Sequence, residues 1–192
     1  MPVTILYISS LIGLSSIGAM LLGSGCQMAP KAIQNQSPVG KVLPQVQGQT
    51  LSGDAAKLPG KFAGEPVVLL IGYLQSSQFD IDRWTYGLIT TDTPAKIAEV
   101  PAIPGLVPSL FSGWIDDGMR SGIPEEDWPA VITAYGSSGR RLANFTGTTG
   151  GRNARVLLLD KDGVVRWFWD QGFSAARLLE LQNTAQTLAT PD

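Results

Sequence analysis

Residues 157–167 read Leu-Leu-Leu-Asp-Lys-Asp-Gly-Val-Val-Arg-Trp, and this stretch decides the fold. The residues before Asp160 are aliphatic, and those after Gly163 are β-branched or aromatic, which is the composition of two strands. The Asp-Gly pair between them is a strong signal for a tight turn. The sequence therefore predicts a β-hairpin formed by residues 154–159 and 164–169.

The central strand and the helix after it are predicted upstream. Residues 67–73 (VVLLIGY) are apolar on both faces, as a buried strand requires. Ser76 or Ser77 is a suitable N-cap, and Ile81, Trp84 and Leu88 then repeat at helical spacing. We predict a strand that leads directly into an amphipathic helix.

Four further elements complete the domain. Residues 97–103 predict a short strand at an edge or a strand end, because Pro101 lacks a backbone N–H. The apolar spacing over 107–115 predicts a second helix, residues 130–135 a strand, and residues 136–139 a turn. A closing helix is predicted after an N-cap at Ser174, with its apolar face formed by Leu178, Leu181, Ala185 and Leu188.

The N-terminus has the pattern of a membrane anchor. Residues 4–22 are apolar and uncharged, and Cys26, the one cysteine of the chain, follows them. The stretch Leu21-Leu22-Gly23-Ser24-Gly25-Cys26 resembles the lipobox of bacterial lipoproteins, in which small residues precede a cysteine that becomes acylated. The alternative is an uncleaved membrane helix, since a span needs roughly 20 apolar residues.

Both interpretations predict a protein of the bacterial cell envelope that is tethered to the membrane and faces the periplasm or the exterior. The expected organisation is a leader over residues 1–25, a flexible tether over 26–46, and one domain over 47–192. The tether is inferred from a polar composition rich in Gln, Pro and Gly without a sustained period.

Composition excludes several classes of function. The 14 basic and 16 acidic residues give a net charge of −2 and are interspersed, so no basic stripe for nucleic acid exists. The chain has no histidine, which rules out a Ser-His-Asp arrangement, and a single cysteine cannot form an internal disulfide. These absences favour binding over catalysis.

The order of predicted elements resembles a thioredoxin-like domain with a peroxiredoxin-style extension, over residues 47–189. The residues 157–167 quoted above resemble the terminal hairpin of that superfamily. The resemblance implies an α/β fold with a central mixed sheet, helices on both faces, and a C-terminal hairpin followed by a helix. A weaker similarity is to the mitochondrial ATP synthase assembly-factor family, a thioredoxin-like group, and implies an assembly role without redox chemistry.

The resemblance places the reactive thiol of thioredoxin-like enzymes just after the first central strand, where this chain has Gln75, Ser76, Ser77 and Gln78. Amides and an unassisted hydroxyl cannot exchange disulfides, so thiol redox activity is excluded within the domain. The serines are interpreted as helix caps. Binding of an anion at this helix N-terminus is an alternative, against which Asp80 and Asp82 argue.

A second candidate region is rich in acidic and aromatic residues. Its spacing does not match a calcium loop, and we expect no metal and no cofactor. Acidic side chains beside exposed tryptophans are typical of a protein-binding surface. The candidate partner surface consists of Trp114, Asp116, Asp117, Arg120, Asp127 and Trp128, with Glu125, Glu126 and the loop 75–80 beside it.

Three functions remain open from the sequence. The first is a redox-inactive thioredoxin-like protein that binds another protein in assembly or quality control at the membrane. The second is an envelope hydrolase that uses two carboxylates between Asp116 and Asp127, which would have to face each other across a cleft. The third is electron transfer through Cys26, which requires that this cysteine is not acylated.

Overall fold

The computed structural model describes residues 32–105 and 109–190, without the side chains of residues 109–112 and 114. Seven strands form one mixed sheet in the order β2-β1-β5-β4-β3-β6-β7. The strands are β1 (Val46–Thr50), β2 (Ala55–Leu58), β3 (Val67–Gly72), β4 (Lys96–Ile103), β5 (Ile132–Tyr135), β6 (Arg155–Leu159) and β7 (Val165–Trp169). The helices are α1 (Gln78–Thr90), α2 (Ser109–Arg120), α3 (Gly136–Thr146) and α4 (Ala175–Ala189).

Every residue of β3 is buried, which shows that the sheet is covered on both faces. Alternate residues of a strand point to opposite faces. Leu69 and Ile71 join one core cluster, which includes Leu142 of α3, and Val68 and Leu70 join the other, which includes residues of α1 and α4. The expected α/β architecture with helices on both faces is confirmed.

The C-terminal hairpin and the helix after it are also confirmed. β6 and β7 pair antiparallel, with Leu157 opposite Phe168. One Asp160 carboxylate oxygen accepts the N–H groups of Asp162 and Val164, both at 2.9 Å, and the other accepts the Nε–H of Arg166 at 2.7 Å. These bonds stabilise the charged form, so the pKa of Asp160 lies below its ordinary value even though burial opposes this.

The strand with prolines is central and not at an edge, which corrects the prediction for residues 97–103. β4 pairs parallel to β3 on one side and to β5 on the other. Pro101 is tolerated because it falls between the Glu99–Val131 bridge and the Ala102–Ala134 pair of the β4–β5 ladder.

The predicted turn at residues 136–139 is the first turn of α3, so this prediction is wrong. Two glycines gave it a turn-like composition, but Gly139 is required by packing. A Cβ at this position would lie 2.8 Å from both the Ala134 carbonyl oxygen and the Ile103 carbonyl carbon. The helix can cross close to the strand ends only because that atom is missing.

The N-terminal segment differs from the predicted tether from Ile33 onward. The N–H groups of Gly40 and Leu43 donate to the carbonyls of Val165 and Gly163 at 2.8 and 2.9 Å, and Leu43 is fully buried. The segment is held mainly through its backbone, which leaves no side-chain period to detect. The leader, Cys26 and the first part of the tether lie outside the described residues, and their assignment stays a prediction.

Candidate functional site

The loop that the resemblance predicts at the thiol position is short and lies between β3 and α1. Residues 75–77 form one 3-10 turn, and the Ser77 hydroxyl donates to the Leu74 carbonyl at 2.6 Å. Ser77 is fully buried, and a Cβ on Gly72 would lie 2.6 Å from its oxygen. The cap prediction is therefore wrong: Ser77 occupies the N-cap position but makes no cap bond, and Ser174 before α4 makes none either.

Two carboxyl groups lie near this loop and share the amide of Gln78. Its Nε2 is 3.0 Å from Asp82 Oδ1 and 3.4 Å from Glu99 Oε2. Burial raises the pKa of Glu99 to about 7, opposed by the bond from Gln78 and reinforced by the charge of Asp82. The Ser77 hydroxyl donates to the Leu74 carbonyl, so this arrangement supplies a titratable carboxyl group but no activated nucleophile.

Asp80 is turned into the protein. Its two carboxylate oxygens accept the N–H of Ala154 at 2.8 Å and the N–H of Phe173 at 2.6 Å. One side chain thus connects the start of α1 to the start of β6 and to the loop before α4. Of the predicted loop surface 75–80, Asp80 and Ser77 are structural, while Gln75, Ser76, Gln78 and Phe79 are exposed.

The exposed apolar side chains beside this loop were not singled out by the sequence analysis. Phe79 is 77% exposed, more than any other large apolar residue described, and Leu74 is 55% exposed. The signal was present, because Phe79 lies outside the helical stripe of Ile81, Trp84 and Leu88, all three of which are buried. Phe79 and Leu74 thus form an exposed apolar pair at the two ends of the loop.

Behind the loop lies a buried arginine that the sequence analysis missed. Arg155 is 0% exposed, and its two terminal nitrogens donate to the carbonyls of Asn153 at 2.8 Å and Thr149 at 2.6 Å and to Asn35 Oδ1 at 3.2 Å. Its Nε has no partner among the described residues. Burial lowers its pKa, which the nearby charge of Asp170 opposes.

Tyr73 faces the same arginine. The Arg155 guanidinium carbon lies 5.7 Å from the centre of the Tyr73 ring, and the Tyr73 hydroxyl lies 2.8 Å from Thr146 Oγ1. Burial raises the pKa of Tyr73 to about 12, so the hydroxyl stays protonated. Arg155 and Tyr73 thus hold together the N-terminal segment, the end of α3 and the loop after it.

The acidic and aromatic region is only partly on the surface. Asp116 is buried, and its Oδ1 accepts the Tyr135 hydroxyl at 2.8 Å and the Thr133 hydroxyl at 3.3 Å. Burial and this carboxylate raise the pKa of Tyr135. Asp116 therefore does not belong to a partner surface, and the side chain of Trp114 lies outside the described ones.

The remaining residues of that region form a fixed polar and aromatic surface. Arg120 donates from Nε to the Leu51 carbonyl at 2.8 Å and from Nη1 to Asp117 at 2.7 Å. Its guanidinium lies 5.7 Å from the centre of the Trp128 ring, whose own N–H donates to the Ile123 carbonyl at 2.9 Å. We call this region, with the exposed residues Glu125, Glu126 and Asp127, the acidic edge.

The acidic edge and the loop at residues 74–79 do not form one surface, which corrects the combined surface expected from the sequence. β3, β4 and β5 are parallel, and the loop follows the end of β3 whereas Trp128 precedes the start of β5. β4 lies between β3 and β5, so these two strands are two strand spacings of about 4.8 Å apart. The two regions lie beyond opposite ends of these parallel strands.

The described part of the chain contains no group of three or more acidic, cysteine or histidine residues that could hold a metal ion. Of the acids predicted to form a hydrolytic pair, Asp116 is buried and Asp117 is paired with Arg120, whereas Glu125, Glu126 and Asp127 are exposed. Two shallow clefts of about 260 and 410 Å³ lie elsewhere, between the N-terminal segment and β7 and beside α4.

The architecture and the position of the loop define a thioredoxin-like fold. The comparable solved structures share it: the SCO1/SenC family lipoprotein of Bacillus anthracis str. Ames matches 82% of this chain and 100% of its own, at 14% identity and a TM-score of 0.54. The match with thiol peroxidase from Chromobacterium violaceum covers 83% of this chain and 93% of that protein, at 14% identity and a TM-score of 0.55.

BsSco, a member of the Sco family of cytochrome c oxidase assembly proteins with a disulfide switch, matches 81% of this chain and 99% of its own, at 12% identity and a TM-score of 0.53. At these identities the likeness concerns the fold. No protein-family model matches the chain. No curated protein matches it either. Among the described residues, no helix is both long and apolar enough to cross a membrane.

Proposed function

We propose that this chain is a membrane-tethered, redox-inactive thioredoxin-like protein of the bacterial cell envelope, which acts by binding another protein in assembly or quality control. The observation that carries the proposal is the composition of the loop after β3. The fold keeps the loop, but Gln75, Ser76, Ser77 and Gln78 provide no thiol, and the buried Ser77 hydroxyl donates to a backbone carbonyl.

The tether is supported by the sequence pattern at Cys26 and by the occurrence of this fold in a lipoprotein. An assembly role is supported by one solved neighbour of the same fold, which is described as a member of a family of cytochrome c oxidase assembly proteins. The partner itself is a membrane or envelope protein of unassigned identity.

The acidic edge is the surface on which we place the partner. Arg120 and Trp128 are already held by backbone carbonyls, so binding does not have to order them first. Glu125, Glu126 and Asp127 are exposed, and no ion pair joins their side chains to any other described residue. Unpaired carboxylates beside an aromatic ring suit a partner segment that carries lysine or arginine.

The test is crosslinking capture of the full chain from native membranes. The variant Glu125→Gln/Glu126→Gln/Asp127→Asn removes three charges and keeps side-chain shape. One dominant partner is expected with the native chain and is lost with this variant, and raised salt should weaken its capture because charges on surfaces are screened within about 10 Å at 0.1 M salt.

The matched control carries the same change of charge at three exposed acids outside the edge, Asp54→Asn, Asp92→Asn and Asp162→Asn. This control should capture the partner like the native chain. Equal recovery by all three proteins would reject the acidic edge, and the absence of any specific partner would reject the binding function.

A further inference from the structure

The loop at the end of β3 carries two large apolar side chains that nothing in the described domain covers. Leu74 is 55% and Phe79 77% exposed. The Leu74 side chain lies over the next loop of the same edge, where a Cβ on Gly151 would lie 3.1 Å from Leu74 Cδ1. We call this pair the apolar edge.

The chain enters the domain at the same place. The Ile33 N–H donates to Thr148 Oγ1 at 2.9 Å, and the Ile33 carbonyl accepts the N–H groups of Thr148 and Thr149 at 2.8 and 3.1 Å. Residues 148–151 therefore contact both the incoming chain and Leu74. Six residues lie between Cys26 and Ile33, so seven steps along the chain limit the distance between these two residues to about 25 Å.

The size of the apolar edge indicates whether a protein partner or a lipid bilayer covers it. A stable protein interface buries about 800 Å² on each partner, with some 20–30 residues on each side. Two side chains fall far short of that. They suffice to orient a domain that a tether already holds at high effective concentration beside a bilayer.

The charges around the apolar edge agree with a lipid surface. Arg83 is exposed and lies one helical turn after Phe79 on the same face, and the exposed Arg152 follows Gly151. Guanidinium groups at the rim of an inserted apolar pair lie at the depth of lipid phosphates. Asp80 is buried, and the exposed Asp82 accepts a hydrogen bond from Gln78 at 3.0 Å.

We infer that the apolar edge lies against the lipid bilayer, with Leu74 and Phe79 at the boundary between headgroups and acyl chains. This inference rests on the membrane tether of the proposed function. It has a geometric consequence: the acidic edge lies beyond the opposite ends of the parallel strands, so it is presented away from the membrane, toward a partner in the aqueous compartment.

The experiment places a photoreactive benzoylphenylalanine at position 79 of the full chain, in vesicles of phosphatidylethanolamine and phosphatidylglycerol and in native membranes. The matched control carries the same residue at position 89. Ile89 is 53% exposed on the same helix, ten residues and therefore about 15 Å further along. Mass spectrometry then identifies what each position captures.

Adducts of phospholipid mass are expected at position 79, several-fold above position 89, in both membranes. A protein adduct at position 79, no adduct, or equal lipid adducts at both positions would each overturn the inference. A second test moves the photoreactive residue to position 152 and adds either Leu74→Ser or Phe79→Ser. Lipid capture at position 152 should then fall several-fold while the protein stays in the membrane fraction.

These results are independent of the partner experiment. Loss of the partner in the acidic-edge variant with unchanged lipid adducts would support both proposals. Lipid adducts without any captured partner would reject the binding function and keep the inference. A chain that sediments with membranes but yields no lipid adducts at position 79 would reject the inference and leave the tether intact.

Discussion

Replacement of Asp80 is the most informative perturbation of the fold, because one carboxylate joins three segments. Its oxygens accept the N–H of Ala154 and the N–H of Phe173, at 2.8 and 2.6 Å. Hydrogen bonds to a charged group contribute about 1.5–3 kcal/mol each, so Asp80→Ala should lower the free energy of unfolding by about 3–6 kcal/mol. That is a large part of the roughly 5–15 kcal/mol that stabilises a typical domain.

Asp80→Asn separates geometry from charge. The amide has one oxygen where the carboxylate has two, and its NH₂ group faces one of the two backbone donors, so at least one bond is lost. We expect a decrease of about 2–4 kcal/mol for this variant. The control is Asp82→Asn in the same helical turn, which is exposed and accepts only the Gln78 amide, and it should change stability by about 0.5 kcal/mol or less.

Urea unfolding followed by tryptophan fluorescence, to which the buried Trp84 contributes, measures these differences. With a urea dependence of about 2 kcal/mol/M, Asp80→Ala should shift the midpoint down by roughly 2 M. A midpoint for Asp80→Ala within about 0.5 M of the Asp82→Asn control would refute the assignment. The interpretation of Asp80 as a structural residue, rather than part of the exposed loop surface, would then be wrong.

Three further predictions concern other positions. The folded-state pKa of Glu99 is about 7 against an ordinary 4.5, so the stability linked to this group is fully present below pH 4.5 and is lost as the pH rises through 7. Glu99→Gln should therefore flatten the dependence of unfolding free energy on pH, measured by urea titrations between pH 4 and pH 8. A dependence like that of the native protein would contradict the shift. Gly139→Ala places a Cβ 2.8 Å from two backbone atoms and should destabilise the domain by about 1–3 kcal/mol in thermal unfolding, while Gly118→Ala, where that space is open, should not. Arg155→Met leaves the carbonyls of Asn153 and Thr149 without their donor. Amide hydrogen exchange should therefore accelerate in residues 33–36 and 148–153 and stay unchanged in α4. Exchange rates equal to those of the native protein in these two segments would show that Arg155 does not hold them together.

Elements that a periodic side-chain pattern defines were predictable from the sequence. The β6–β7 hairpin carries its signal locally, in two apolar runs and an Asp-Gly turn, and the buried faces of α1 and α4 have helical spacing. Elements held by backbone contacts were not. The segment from Ile33 to Leu43 is attached mainly through main-chain bonds, and Gly139 of α3 leaves space for the ends of β4 and β5.

The candidate sites divide in the same way. The absence of a thiol is visible in the sequence, since it depends on residue types alone. The separation of the acidic edge from the loop after β3 is not, because it depends on strand direction. Burial of Asp116 and Arg155 could not be predicted either, since both residue types are usually exposed. Their burial depends in part on hydrogen-bond partners that are distant in the sequence.

The residues at the predicted thiol position divide into buried structural ones and exposed ones. The scaffold of the site is complete: Gly72 leaves space for Ser77, and Asp80 fixes the start of α1 against β6. Only the reacting groups are missing, and the two residues that flank the loop, Leu74 and Phe79, are apolar and exposed. Exposure of these two apolar side chains is unfavourable in water, and contact with an apolar surface would remove that cost. We infer that this contact is with the bilayer, and the entry of the chain at Ile33, beside the same loops, agrees with that inference.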